Sequence, residues 1–286
     1  MHAAQLKAFK SPIARKAAFL KKAKAAATIH KAPVNIPSTP VACNDGGTLT
    51  FSGTYDNVAS TFAINFVYND CLEYGERLNG PMSISGSFST GNETFTITIG
   101  DGDGTIEALN TAGVMIDFKA EQFMDTTYTT LYAYYIADMS VSASGEVLST
   151  GYSLTMTANG KEKYSDYTEV YNMTFSNLKF VSTFVAPATT SAFSGTDTVD
   201  GGFTESWTGT SGTESVSTTF TSFVIAWSVP AGAAYYEFSA DGTVATDFTP
   251  NAYCGIEGTW VIDTTTPIQI DNNGVPLQGV MVINSN

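Results

Sequence analysis

From Cys43 onward, apolar and polar residues alternate with a period of two. The pattern runs through Thr48–Tyr55 (TLTFSGTY), Ser60–Tyr68 (STFAINFVY), Thr94–Ile99 (TFTITI) and Leu131–Ser144 (LYAYYIADMSVSAS). It resumes in Tyr152–Ala158, Val170–Phe184, Ser217–Val229, Tyr235–Ala240, Gly258–Asp263 and Gly279–Asn284. Alternation in Thr-, Val-, Tyr- and Phe-rich runs is the mark of β-strands, because successive side chains point to opposite faces. Turn chemistry separates the runs: Asp56-Asn57, Asn159-Gly160, Gly201-Gly202, Asp241-Gly242 and Asn273-Gly274 each read as a chain reversal. No amphipathic helix is visible after residue 43. The pattern predicts an all-β protein: an antiparallel meander of many strands, closed as a sandwich or curved as an open sheet.

A faint internal repeat runs through the pattern. NGKEKYSDYTEVYNMTFSNLKF and SGTESVSTTFTSFVIAW each place a glycine turn with acids before a long strand. Aromatic-Ser segments with a Gly or Asp-Gly follow both. The spacing is irregular, roughly 50 residues, and reads as duplicated hairpins rather than a strict period.

The first 42 residues differ. Residues 1–31 carry eight of the 13 basic residues and no acid. Ser11-Pro12 forms an N-cap and first-position pair, and Ile13 to Ala27 is rich in Ala and Lys, so this segment is expected to be a short helical basic tail or leader. Its apolar face (Ile13, Ala17, Leu20) is thin for a membrane-surface helix. The longest nearby apolar run is AAFL, Ala17 to Leu20, shorter than a secretory core of about 7–15 residues. Residues 32–42 contain three prolines and read as a linker or an extended arm. The body is then 43–286.

That body sets 27 acids against five bases (Arg77, Lys119, Lys161, Lys163, Lys179). Such a surface repels nucleic acid and anionic membranes. Both histidines, His2 and His30, lie in the tail. The body therefore lacks the imidazole of Ser-His-Asp or Cys-His catalysis, and three cysteines are one too few for an all-thiolate zinc site. No phosphate-cradling loop occurs. Two carboxylates suffice for a glycosidase, but no dense acidic motif stands out. KEKYSDYTE (Lys161 to Glu169) and the GTESV segment at Glu214 read as solvated hairpin ends. No catalytic residue, cofactor or metal ligand is assigned.

Two local features carry specific expectations. Cys43 and Cys71 are centred on the Asp56-Asn57 turn, so a hairpin folded there brings them opposite each other. A disulfide results, with two buried free thiols as the alternative; a disulfide implies an oxidising compartment. Cys254 is left over, either buried or available to a second subunit. The second feature is GDGDGTIE, Gly100 to Glu107. Counted from Asp101 as an EF-type calcium loop, it lacks the acid at the fifth position, the glycine at the sixth and the glutamate at the twelfth. It reads as a tight reversal, with a loose calcium site on Asp101, Asp103 and backbone carbonyls as the alternative.

CNDGGTLTFSG (Cys43 to Gly53), VYNDC (Val67 to Cys71) with RLNG (Arg77 to Gly80), and GTWVIDTTTPI (Gly258 to Ile268) resemble segments of a loose group of uncharacterised exported β-rich proteins of Gram-negative bacteria. The resemblance spans most of 43–286 and implies an extracytoplasmic location, in the cell envelope or secreted. It supplies no catalytic residues. The expected role is non-catalytic: a structural or surface-interaction protein, with a fibre or assembly subunit as its specific form and self-association or a cell-surface molecule as the partner. Two other classes stand beside it. One is a carrier of lipid or another apolar ligand on a curved sheet; the other is a carbohydrate-binding or carbohydrate-active module.

Overall fold

The computed structural model describes residues 33–89, 91–106, 116–125, 127–166, 168–186, 192–249 and 257–285. The helix expected within 1–31 lies outside these residues, as does Cys254. The described chain is all-β. Its strands are β1 (Val34–Ala42), β2 (Gly46–Asp56), β3 (Thr61–Glu73), β4 (Glu76–Ser89), β5 (Asn92–Ile99), β6 (Phe118–Phe123) and β7 (Leu131–Leu148). They continue as β8 (Gly151–Asp166), β9 (Val170–Val185), β10 (Phe193–Gly209), β11 (Gly212–Val229), β12 (Tyr235–Thr249), β13 (Gly258–Asp271) and β14 (Pro276–Ser285). All pair antiparallel in one 14-stranded sheet, in chain order from β1 to β14 except at β6. The open-sheet form of the expectation is the one adopted. No helix among the described residues is long and apolar enough to cross a membrane.

β5 and β6 share one slot between β4 and β7. β5 pairs with Met82–Ser89 and with Met139–Glu146. β6 pairs with Glu76–Asn79 and with residues of Leu131–Ala137. The chain therefore leaves the sheet after Ile99 and returns at Phe118, which leaves a seam across the slot.

Residues opposed across antiparallel strands share a face. One row reads Phe51, Phe66, Met82, Ile99 and Met139, from β2 through β5 to β7. These residues, with Phe62, Ile64, Leu78, Phe118, Ala137 and the two cysteines, form the core or pack against it. The opposite face of the same strands reads Asn65, Ser83, Thr98, Ser140 and Asn159 and is polar. The two-residue alternation seen in the sequence is thus an inside and an outside.

The strand pattern correctly locates the Asp56-Asn57 and Asn273-Gly274 reversals. Asp56 Oδ1 accepts the N–H groups of Val58 and Ala59 at 2.8 and 2.9 Å. Asp271 Oδ1 accepts those of Asn273 and Val275, both at 2.8 Å. The other three expected turns are not turns. Asn159-Gly160, Gly201-Gly202 and Asp241-Gly242 lie inside β8, β10 and β12, at register shifts of the ladder. They are β-bulges. The same positive φ that builds a reversal also absorbs one extra residue in a strand, and a continuous neighbour on each side selects the bulge.

The bulges form a line across the sheet. Asn159 Oδ1 accepts the N–H of Asn177 on β9 at 2.7 Å. Asp200 Oδ1 accepts that of Ser222 on β11 at 2.6 Å, and Asp241 Oδ1 that of Thr264 on β13 at 2.8 Å. Positions 159, 200 and 241 are evenly spaced in sequence. Each time an Asx-Gly pair sits at the bulge and its side chain ties down the next strand. The hairpin repeat of roughly 50 residues is a different pattern, since Gly160 lies in a bulge of β8 whereas Gly212 opens β11 at a hairpin. A similar contact runs the other way: Asn79 Oδ1, beside Gly80 of β4, accepts the N–H of Asp70 on the preceding strand β3 at 2.9 Å.

Candidate functional site

Three places concentrate chemistry: the seam between β5 and β6, an acidic aromatic cluster on the core face, and an uncovered aromatic patch beyond it.

The seam contains GDGDG. Ile99 pairs with Met139 and Phe118 with Ala137, so Asp138 is the β7 residue at the break. Its side chain is fully buried. The departing loop wraps around that carboxylate: the N–H groups of Asp101 and Gly102 donate to Oδ2 at 3.1 Å each, and that of Gly104 donates to Oδ1 at 2.6 Å. A side chain at Gly100 would place its Cβ 2.7 Å from Asp138 Oδ2, and φ there is +76°, so glycine is required. The loop is an anion nest whose occupant is the protein's own carboxylate. Burial pushes the Asp138 carboxyl above the ordinary aspartate range; the Gly104 and Gly102 N–H groups oppose that, and the neighbouring Asp101 adds to it. Asp101, Asp103 and Asp138 each bring an oxygen within 4.8 Å of the others. A hard cation here would take those three ligands. Asp101 Oδ1 already accepts the Asp103 N–H at 3.1 Å, and Asp103 Oδ1 the Thr105 N–H at 2.7 Å. The geometry of residues 100–106, the described part of GDGDGTIE, is that of an anchored loop.

The second cluster lies on the core face next to the seam, where Glu162 of β8 opposes Ala137 of β7. Glu162 and Glu205 both oppose Met173, one from β8 and one from β10. Two strand spacings put their Cα atoms roughly 10 Å apart. Tyr135 donates its hydroxyl to Glu162 Oε2 at 2.9 Å, and the Trp207 indole donates to Glu214 Oε2 at 2.9 Å. Tyr164 and Tyr171 oppose each other in the adjacent row. Burial pushes the Glu162 carboxyl up; the Tyr135 hydroxyl pulls it down and the charge of Glu205 pushes it up again. Burial, and then the charge of Glu205, raises the Tyr171 phenol. Glu162 and Glu214 sit in the two segments that read as solvated hairpin ends. Hairpins do lie there, between β8 and β9 and between β10 and β11, but both glutamates are half-buried on the apolar face rather than solvated.

The third place is the core face of β8–β13. Its outer row reads Tyr152, Phe184, Gly195, Trp227, Phe238 and Ile268. The Trp227 ring lies over Gly195, whose missing Cβ would fall 2.3 Å from it. Phe184, Phe193 and Trp227 contact one another, with ring centroids 5.9 to 6.4 Å apart. Phe184 and Phe193 are each 40% exposed. On the reverse face, Thr183, Ser194, Thr196, Ser228, Glu237 and Ser239 help line a shallow groove of about 370 Å³.

The Cys43–Cys71 disulfide is formed, with Cα atoms 5.4 Å apart. It closes the end of the β2–β3 hairpin, as the centred turn predicted, and both cysteines are buried. Residues 34–42 of the proline-rich arm are strand β1, paired with β2 of the same chain. Comparison with protein-family models, with curated proteins and with solved structures finds no match for this chain.

Proposed function

We propose that this chain is a non-catalytic extracytoplasmic protein with a structural or surface-interaction role, exerted through the uncovered part of its apolar sheet face. The observation that carries this reading is the Phe184–Phe193–Trp227 cluster. It continues a face that the sheet buries over β2–β7 and leaves half-exposed over β8–β13. Aromatic groups that stay together at a surface are typical anchors of interaction sites. The disulfide supports an oxidising compartment. The resemblance to exported envelope proteins agrees with that location.

The test is cosedimentation of the full chain with isolated bacterial envelopes. Wild type is expected in the pellet, and a Phe184→Ser/Trp227→Ser variant in the supernatant. Wild type left in the supernatant overturns the reading. Native mass spectrometry of the purified protein distinguishes the carrier class, which requires a co-purifying apolar ligand.

A glycan-directed role is the second reading, favoured by one observation: Glu162 and Glu205 share a face with Tyr171 and Trp207. Aromatic rings beside acids suit sugar stacking, and two carboxylates on one face are what a glycosidase requires. Glycan-array binding lost on Trp207→Ala would support it; an array without hits would dismiss it.

A further inference from the structure

The five bases of the body all lie on the polar face of the sheet. Lys161 opposes Asp138, Lys119 and Lys163 both oppose Ile136, and Arg77 opposes Glu121, which opposes Tyr134. These positions alternate in step with Ser140 and Asn159, as does Lys179 opposite Thr157. Four of the five therefore gather on β4, β6 and β8, around Tyr134 of β7. The Lys119 ammonium lies 5.7 Å from the centre of the Tyr134 ring and that of Lys163 lies 5.9 Å from it. Glu121 serves this group with both oxygens: Oε1 takes Lys119 at 2.6 Å and Oε2 takes Arg77 at 3.3 Å. Among the described residues Lys161 and Lys163 form no ion pair. Asp138, opposite Lys161, gives its carboxylate to the loop N–H groups. The patch thus holds a surplus of positive charge. The far part of the chain is its opposite: residues 180–286 contain ten acids and no base. Ammonium groups gathered around one ring repel each other, and an anion beside them relieves that repulsion.

We propose that this patch of Arg77, Lys119, Lys161 and Lys163 binds an acidic polysaccharide, a single glycan strand bearing carboxylates. Charge complementarity sets the sign of the partner, and the size of the patch sets its width. From β4 to β8 is three strand spacings, roughly 15 Å. A nucleic-acid duplex or an anionic membrane reaches beyond that, over Asp101 and Asp103 on the loop and toward Asp200 and Asp247 on the same face, and is repelled there. A single strand meets the bases alone. The neighbouring groups select a sugar over an acidic peptide. Tyr132 stands on the same face two residues from Tyr134 and is 45% exposed, which leaves a ring open to a sugar. Asn172 opposes Lys163 and Ser206 opposes Asn172, so an amide and a hydroxyl continue the row of bases. Sugar hydroxyls pair with such groups, whereas acidic side chains leave most of them unused. The patch lies on the opposite face from Phe184 and Trp227, so this binding is additional to the role proposed above.

The experiment is calorimetric titration of the full chain with oligogalacturonate, with poly-glutamate and with neutral dextran, at low and at high salt. Oligogalacturonate is expected to bind, and more weakly at high salt; poly-glutamate should bind less tightly and dextran not at all. A Lys119→Gln/Lys163→Gln variant keeps the eight bases of residues 1–31, so it separates the patch from that segment. It is expected to bind oligogalacturonate about ten-fold more weakly, with an unchanged near-ultraviolet spectrum. Should the variant fail to fold, lysine acetylation of wild type decides. Oligogalacturonate then shields Lys119, Lys161 and Lys163 and leaves the lysines of residues 1–31 reactive. Four results overturn the proposal: no binding of oligogalacturonate, equal binding by the variant, shielding confined to residues 1–31, or poly-glutamate bound as tightly as the glycan.

Discussion

The Asp200 carboxylate accepts the backbone N–H of Ser222 at 2.6 Å, and Ser222 has a φ of 45°. One side chain on β10 thus holds a left-handed residue on β11, in the middle of the bulge line. Asp200→Ala leaves that N–H without its acceptor and is expected to cost about 1 kcal/mol. Asp200→Asn keeps the acceptor, as Asn159 and Asn79 do at the equivalent bulges, and should fall close to wild type. Urea unfolding of the three proteins side by side measures both.

Gly201 follows Asp200 at φ +83°, and a Cβ there would lie 2.1 Å from the Asn177 carbonyl oxygen. Both the conformation and the space exclude a side chain. Gly201→Ala is expected to destabilise by about 2–4 kcal/mol, the size of a strained backbone combined with overpacking. Gly232→Ala, at φ +75° with nothing within 4 Å, carries only the conformational part and should lose less. The difference between their urea midpoints isolates the contact.

Asp138 holds the departing loop through three N–H groups. Asp138→Ala leaves those donors facing a cavity and is expected to destabilise by about 3 kcal/mol, with faster amide exchange at Asp101, Gly102 and Gly104. Asp138→Asn retains one acceptor oxygen and should lose less. If exchange at these three amides is unchanged in Asp138→Ala, the anchored-loop reading fails.

Glu162 gives a pH dependence of defined sign. Its folded-state carboxyl is raised above its ordinary value, mainly by burial. The stability this contributes is fully present below the ordinary glutamate range, where both states are protonated, and is lost as pH rises through the raised value. Glu162→Gln removes that loss while keeping an acceptor for the Tyr135 hydroxyl. The melting temperature of the variant relative to wild type should therefore rise from pH 4 to pH 8. A difference that is flat or falls with pH contradicts the buried geometry of Glu162.

The Cys43–Cys71 bridge spans a sequence separation of 28. On the chain-entropy model its loss costs about 3–4 kcal/mol. The double variant Cys43→Ser/Cys71→Ser should unfold at correspondingly lower urea than the oxidised wild type. Reduced wild type should match the variant.

The sequence by itself determined ten of the fourteen strands and the hairpin that joins Cys43 to Cys71. These depend on local quantities: side-chain alternation, β propensity and the position of one turn. It also showed Asx-Gly pairs along the chain. It could not decide what those pairs do. A left-handed glycine serves a reversal and a bulge equally well, and only the strands on either side of β8, β10 and β12 made Gly160, Gly201 and Gly242 into bulges. β4 and β10 escaped the pattern for the same reason, since internal glycines interrupt their alternation. Asp138 looked like one polar residue in an aromatic strand until the exchange of β5 for β6 placed it at a seam. Glu162 and Glu205 lie in separate hairpins, and only the ladder register sets them on either side of Met173. Burial and cross-strand neighbours are properties of the assembled sheet, so the chemistry of these acids was decided there.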